Sequence, residues 1–139
     1  VVSLHPALSW KARVICLREA AAGEGVSYGC TYKIDQPTWL ATLSVGYADG
    51  YPRILSNRCE VLIGGIRRQL VGRICMDGTV VQIDPPVNAI IGDEAILIGV
   101  QGDQEITADQ VAEKARTISY EILTGIGKRV PRVYVNPTE

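Results

Sequence analysis

Tyrosine, arginine and aspartate recur beside glycine in four short segments: Val26-Ser-Tyr-Gly29, Gly46-Tyr-Ala-Asp-Gly-Tyr-Pro-Arg53, Gly72-Arg-Ile-Cys-Met-Asp77 and Ile118-Ser-Tyr-Glu121. A turn needs only glycine, proline and small polar residues, so phenols and guanidinium groups at such places are candidates for work on a ligand. Tyr28, next to Gly29, can present its hydroxyl in a cleft and pass a proton if neighbouring charge lowers its pKa from the ordinary value of about 10. It can equally be a rim residue with its ring in the core and its hydroxyl in water. The second segment places two glycines and a proline within eight residues. Its conformation is therefore narrowly specified while it presents Tyr47, Asp49, Tyr51 and Arg53. Arg53 and Arg73 could guide an anionic substrate, or they could pair with Asp49 and Asp77 at the surface. Met76, the single methionine, is by type a gap-filler. Between Cys75 and Asp77 in a loop, it can also offer its backbone N–H to a carboxylate.

These side chains need a frame, and the first two thirds of the chain supplies period-two alternation broken by Gly and Pro at short intervals. Residues 10–19 place Trp10, Ala12, Val14 and Cys16 opposite Lys11, Arg13, Ile15 and Leu17, which predicts a strand. Residues 21–25 turn the chain, and residues 39–45 repeat the alternation. Gly64-Gly65 between residues 60–63 and 66–71 predicts a tight hairpin. Further strands are expected at 79–83 and 94–100, and again at 132–135. Thr107 with Gln110 three positions on predicts a capping box and a helix to about residue 115. Thr117 is the expected cap of a second helical turn over 118–123. The expected fold is mainly β, a closed or nearly closed barrel with one or two short helices near the C-terminus, as one domain over 1–139.

The chain has 139 residues, with 14 Lys+Arg against 15 Asp+Glu and a net charge of −1. That balance argues against a partner whose phosphates must be neutralised, so no nucleic acid is expected. No apolar run approaches the ~20 residues of a membrane span, and the first residues do not read as a secretion signal, so a soluble cytoplasmic protein with no membrane partner is expected. The sequence starts without Met, which suggests one piece of a longer polypeptide. Cys16, Cys30, Cys59 and Cys75 are not spaced as zinc ligands and are expected to be reduced core thiols; no metal is expected. A nucleophile pair of Cys75 and His5 would lack an orienting acid, and it would depend on a histidine beside Pro6 near the terminus.

Together the four segments and the closing Lys128-Arg-Val-Pro-Arg-Val-Tyr134 resemble the C-terminal β-barrel domain of alanine racemases, pyridoxal phosphate (PLP) enzymes. The resemblance runs over residues 7–134. It implies a homodimer whose N-terminal barrel holds PLP on a lysine, with the partner subunit's C-terminal domain closing the site. Tyr28 then matches a catalytic base acting on the substrate face opposite that lysine. Such a pair suits inversion of a stereocentre, which needs a proton removed on one side and returned on the other. Met76 matches the position whose amide holds the substrate carboxylate, and Tyr47 matches a residue of the inner entrance. Arg53, Arg73 and Ile118 match the next constriction of the access corridor, and Tyr120 matches a contact to the cofactor phosphate within the same subunit.

The resemblance also places the PLP lysine, and most of the cofactor cradle, outside this chain. Lys11, Lys33, Lys114 and Lys128 lie in no matching motif, so the chain alone is expected to be inactive. Gly78 stands where a larger residue is expected, which predicts a looser Met76 loop. A domain serving a related serine racemase and a non-catalytic barrel used for dimerisation remain as alternatives.

Overall fold

The computed structural model describes residues 2–136. Buried Trp10, Ala12 and Val14 alternate with exposed Lys11 and Arg13 in the first half of β1 (Trp10–Ala20). The alternation stops at a bulge, where pairing with β4 (Thr38–Leu43) shifts register between Val14 and Cys16. An extra residue there turns the following side chains over, so Cys16 is exposed rather than in the core. At the same point β1 changes neighbours. Residues 10–13 pair with β8 (Glu94–Gln101), and residues 14–20 pair with β4.

The hairpin of β5 (Glu60–Ile63) and β6 (Ile66–Gln69) forms as its sequence predicts. Gly64 and Gly65 take φ of 62° and 75°, the left-handed conformation that such a two-residue turn requires. With β7 (Thr79–Ile83), the strands run in the order β6-β5-β8-β1-β4-β7, all antiparallel. A bridge between Leu70, just beyond β6, and Val81 of β7 joins the two edges into a nearly closed barrel. Val14, Leu43, Val61, Leu62, Val81 and Leu97 belong to one continuous buried core that includes residues of both helices. A short strand that the sequence pattern did not reveal, β9 (Gln104–Ile106), folds back on β8 through Gly102.

Outside the barrel, β2 (Gly25–Val26) and β3 (Tyr32–Lys33) form a separate hairpin. Alternation puts Leu40 of β4 on the face opposite Leu43, and Leu40 packs with Ala20, Val26, Ile34 and Val71 in a second buried cluster. That cluster anchors the loop between β2 and β3, which carries Tyr28.

Helix α1 (Ala108–Lys114) opens with the expected capping box. Thr107 Oγ1 accepts from the Gln110 N–H at 3.1 Å, and Gln110 Oε1 accepts from the Thr107 N–H at 3.0 Å. Thr107→Ala should lower stability by about 1 kcal/mol, read as a lower denaturant midpoint. An unchanged midpoint would show that the box contributes nothing. Helix α2 (Ser119–Thr124) is capped by Ile118, not Thr117, and makes no side-chain cap bond. Thr117 is already engaged in closing α1: Arg116 takes φ 58°, and the Thr117 N–H donates to the Ala112 carbonyl, as a Schellman turn requires. Residues 132–135 do not form the expected strand. A strand needs a partner edge, and this segment is instead held by the Arg132 guanidinium, which donates to the Ile126, Gly127 and Val130 carbonyls. Among the described residues, no helix is long and apolar enough to cross a membrane.

Candidate functional site

Tyr28 opens a 3-10 turn, Tyr28–Cys30, and is 74% exposed. Its ring is therefore not in the core, and its hydroxyl makes no hydrogen bond among the described residues. The backbone around it is strained: Ser27 and Cys30, both non-glycine, take φ of 61° and 45°. Strain of this kind persists only where the surroundings over-determine the conformation. Here the second cluster holds the hairpin from below, and Gly72 and Arg73 press on the turn from the side. A Cβ on Gly72 would fall 2.6 Å from Ser27 Oγ, and one on Gly29 would fall 3.0 Å from the Arg73 guanidinium. Asn57 ties the two loops together, accepting from the Gly72 N–H at 2.6 Å and donating to Thr31 Oγ1 at 3.3 Å.

Tyr47 starts the turn Tyr47–Asp49, which is zipped onto the Met76 loop. The Tyr47 N–H donates to the Cys75 carbonyl, and the Ala48 N–H to the Met76 carbonyl, each at 3.0 Å. Only glycine permits this approach, because a Cβ on Gly46 would lie 2.2 Å from the Cys75 oxygen. Met76 is exposed, and its own N–H has no acceptor among the described residues. At Gly78 the Cys75 N–H donates to the glycine carbonyl at 2.9 Å and closes the turn of the Met76 loop.

Arg53 and Arg73 do not pair with Asp49 and Asp77; both carboxylates belong to Arg129, whose Nε donates to Asp49 Oδ1 at 2.6 Å while its second nitrogen holds Asp77. Burial pushes the Asp49 carboxyl up, but the Arg129 guanidinium and the Gly46 N–H outweigh it and hold the group below the usual aspartate range. Arg53 and Arg73 make no ion pair among the described residues. Their segments are linked through Ser56, whose hydroxyl donates to the Arg53 carbonyl and accepts from the Ile74 N–H. Tyr51 is not presented at all. It is fully buried, edge-on to Trp10 with ring centroids 5.6 Å apart, and burial pushes its phenol well up.

Ile118 and Tyr120 are exposed at the start of α2, and the Tyr120 hydroxyl also has no partner among the described residues. The helix is docked on the Tyr47 turn at its other end, where the Gly127 N–H donates to the Asp49 carbonyl at 2.8 Å. Tyr28 and Arg73 are thus in one contact group. Tyr47, Met76 and the end of α2 form another, and Gly72-Arg73-Ile74 leads from the first to the second. Asn57, Ser56 and Arg129 are the supporting residues that motif reading missed. Only Arg129 carried a signal, as part of the closing string 128–134. Of the four thiols only Cys59 is in the core; Cys30 and Cys75 sit on the exposed site loops, and all four are free.

These observations define a β-barrel domain whose loops leave the Tyr28, Tyr47 and Tyr120 phenols, the Arg53 and Arg73 guanidinium groups and the Met76 amide without protein partners among the described residues. A family model for the alanine racemase C-terminal domain matches residues 7–134, and the chain belongs to that family. It is 50% identical over 135 residues to an alanine racemase of Halothermothrix orenii, covering 97% of this chain and 36% of that protein. It is 52% identical over 137 residues to one of Symbiobacterium thermophilum, covering 99% and 36%. The alanine racemase structure from Bacillus anthracis, with bound L-Ala-P, superposes with a TM-score of 0.93 at 41% identity, over 98% of this chain and 34% of that one. The structure from E. faecalis gives 0.91 at 38% identity, over 96% and 35%. The chain spans about a third of the length of the curated relatives it matches.

Proposed function

We propose that this chain is the domain of a PLP-dependent alanine racemase that closes the active site and supplies the second acid–base group. The observation that carries this reading is Tyr28 itself: an exposed phenol without a partner among the described residues, fixed by a strained turn on the same linked loops as the open Met76 amide. A strained, gripped turn around a surface tyrosine has a purpose in catalysis that it lacks in a scaffold.

In the assembled enzyme, a homodimer, Tyr28, Tyr47 and Met76 reach into the partner's site, while Tyr120 serves the site of its own subunit. The Tyr28 hydroxyl, as phenolate, takes the proton from one face of the alanine Cα in one direction, and as phenol returns it in the other. The Met76 N–H donates to the substrate carboxylate, and Arg53, Arg73 and Ile118 line the approach. PLP, when bound, supplies the electron sink that makes the Cα–H acidic. The side chains here fit that cofactor at its phosphate end, where the Tyr120 hydroxyl is free to donate. They supply no evident anchor; Lys11, for one, is held by Glu94 at 3.2 Å. The anchoring lysine belongs to the N-terminal barrel, and the whole enzyme works in the cytoplasm.

The full-length protein carrying this chain, loaded with PLP, should interconvert L- and D-alanine; a loaded protein without racemisation overturns the reading. The 139-residue chain alone should be inactive and show no stoichiometric absorption band of lysine-bound PLP. Such a band would place an anchoring lysine inside it.

A further inference from the structure

Arg129 lies outside every segment that presents a site residue, yet its guanidinium holds two carboxylates from two of them. An isolated exposed ion pair contributes only about 0–1 kcal/mol, so stability alone gives this arrangement little consequence. Its consequence lies in where the carboxylates stand. Asp49 ends the Tyr47 turn, and its second oxygen accepts from the Gly46 N–H at 2.9 Å, exactly one residue before Tyr47. Asp77 follows Met76 directly. The side chain of Asp49 is 13% exposed and that of Asp77 is 64% exposed, so Asp49 is the fixed end of the bridge and Asp77 the end that would be released.

We propose that Arg129 is a positioning residue for recognition of the substrate carboxylate: it fixes the Met76 loop against the Tyr47 turn and offsets the charge of two carboxylates beside the amide that must receive an anion. The proposal rests on the functional reading above. Two effects follow from losing the guanidinium, and both act on binding. The loop bearing the Met76 N–H loses its side-chain tether and keeps only the two backbone bonds to the Tyr47 turn. Asp49 and Asp77 are also left as unpaired negative charges, which repel each other and the incoming carboxylate. The Tyr28 turn is gripped by Gly72, Arg73 and Asn57 and does not depend on Arg129, so the proton-transfer step is spared.

In the full-length, PLP-loaded enzyme, Arg129→Gln should raise the KM for alanine by roughly 10-fold or more, with kcat within about 3-fold of the parent and an unchanged cofactor absorption band. Arg129→Lys, which keeps the charge but not the two-pronged geometry, should recover part of the loss. An unchanged KM in Arg129→Gln, or a fall in kcat alone, overturns the proposal. If Arg129→Gln does not fold or load, Asp77→Ala carries the test, since it cuts only the Met76 side of the bridge. A rise in KM, smaller than that of Arg129→Gln because one of the two repelling carboxylates goes with the tether, supports the proposal, and a KM at or below the parent's overturns it. A parent enzyme that binds PLP but racemises nothing would instead overturn the functional reading.

Discussion

Replacing Tyr28 with Phe in the full-length, PLP-loaded protein should lower racemisation by roughly 10²–10⁴-fold, the range a positioned acid–base group contributes. Both directions should fall, because the hydroxyl that removes a proton in one direction must return it in the other. The thermal midpoint should not move. Tyr28 is 74% exposed, and the hydroxyl it loses has no protein partner among the described residues, so the variant removes chemistry and leaves packing alone. Near-normal rates in both directions would refute the role and favour a barrel used only for assembly. Loss of activity together with loss of stability would mean that the hydroxyl has a structural partner in the assembled enzyme.

The largest loss of stability is expected from Gly50→Ala. Gly50 sits at φ 94°, a conformation that costs an L-residue about 1–2 kcal/mol, and its added Cβ would fall 2.0 Å from the Gly125 carbonyl oxygen. The obstacle is backbone, so no change of rotamer relieves it. The Tyr47 turn and the end of α2 must part. The combined cost should exceed about 3 kcal/mol, a fall of roughly 10 °C in the thermal midpoint. Gly23→Ala is the control: its φ of 86° carries similar strain, but no atom lies within 4 Å of the new Cβ. It should cost only about 1 kcal/mol. Equal losses in the two variants would show that the close contact at Gly50 is not what holds the turn.

The elements that were legible beforehand are those specified by a few adjacent residues. Gly64-Gly65 names its turn, Thr107 and Gln110 name their cap, and the strings around Tyr28, Tyr47, Met76 and Tyr120 are specific enough to name a family. What was not legible depends on contacts distant in sequence. Asp49 and Asp77 pair with an arginine 80 and 52 positions away, among 14 basic residues, and nothing local selects Arg129 over Arg53 or Arg73. Tyr51 reads like Tyr47 in the string, but it is drawn under Trp10 by a barrel that the string does not describe. Cys16 kept the alternation of its strand on paper, and a bulge one residue earlier reversed it. Thr117 was a sound cap by type and was already taken by the end of the preceding helix.

The change of neighbours along β1 bears on how the barrel comes apart. One half of that strand belongs to the β5-β6-β8 side and the other to the β4-β7 side, so one continuous backbone is shared by both. Such sharing couples the two sides, and hydrogen exchange should show similar protection in β4 and β8; much weaker protection in one of them would show that the sides open separately.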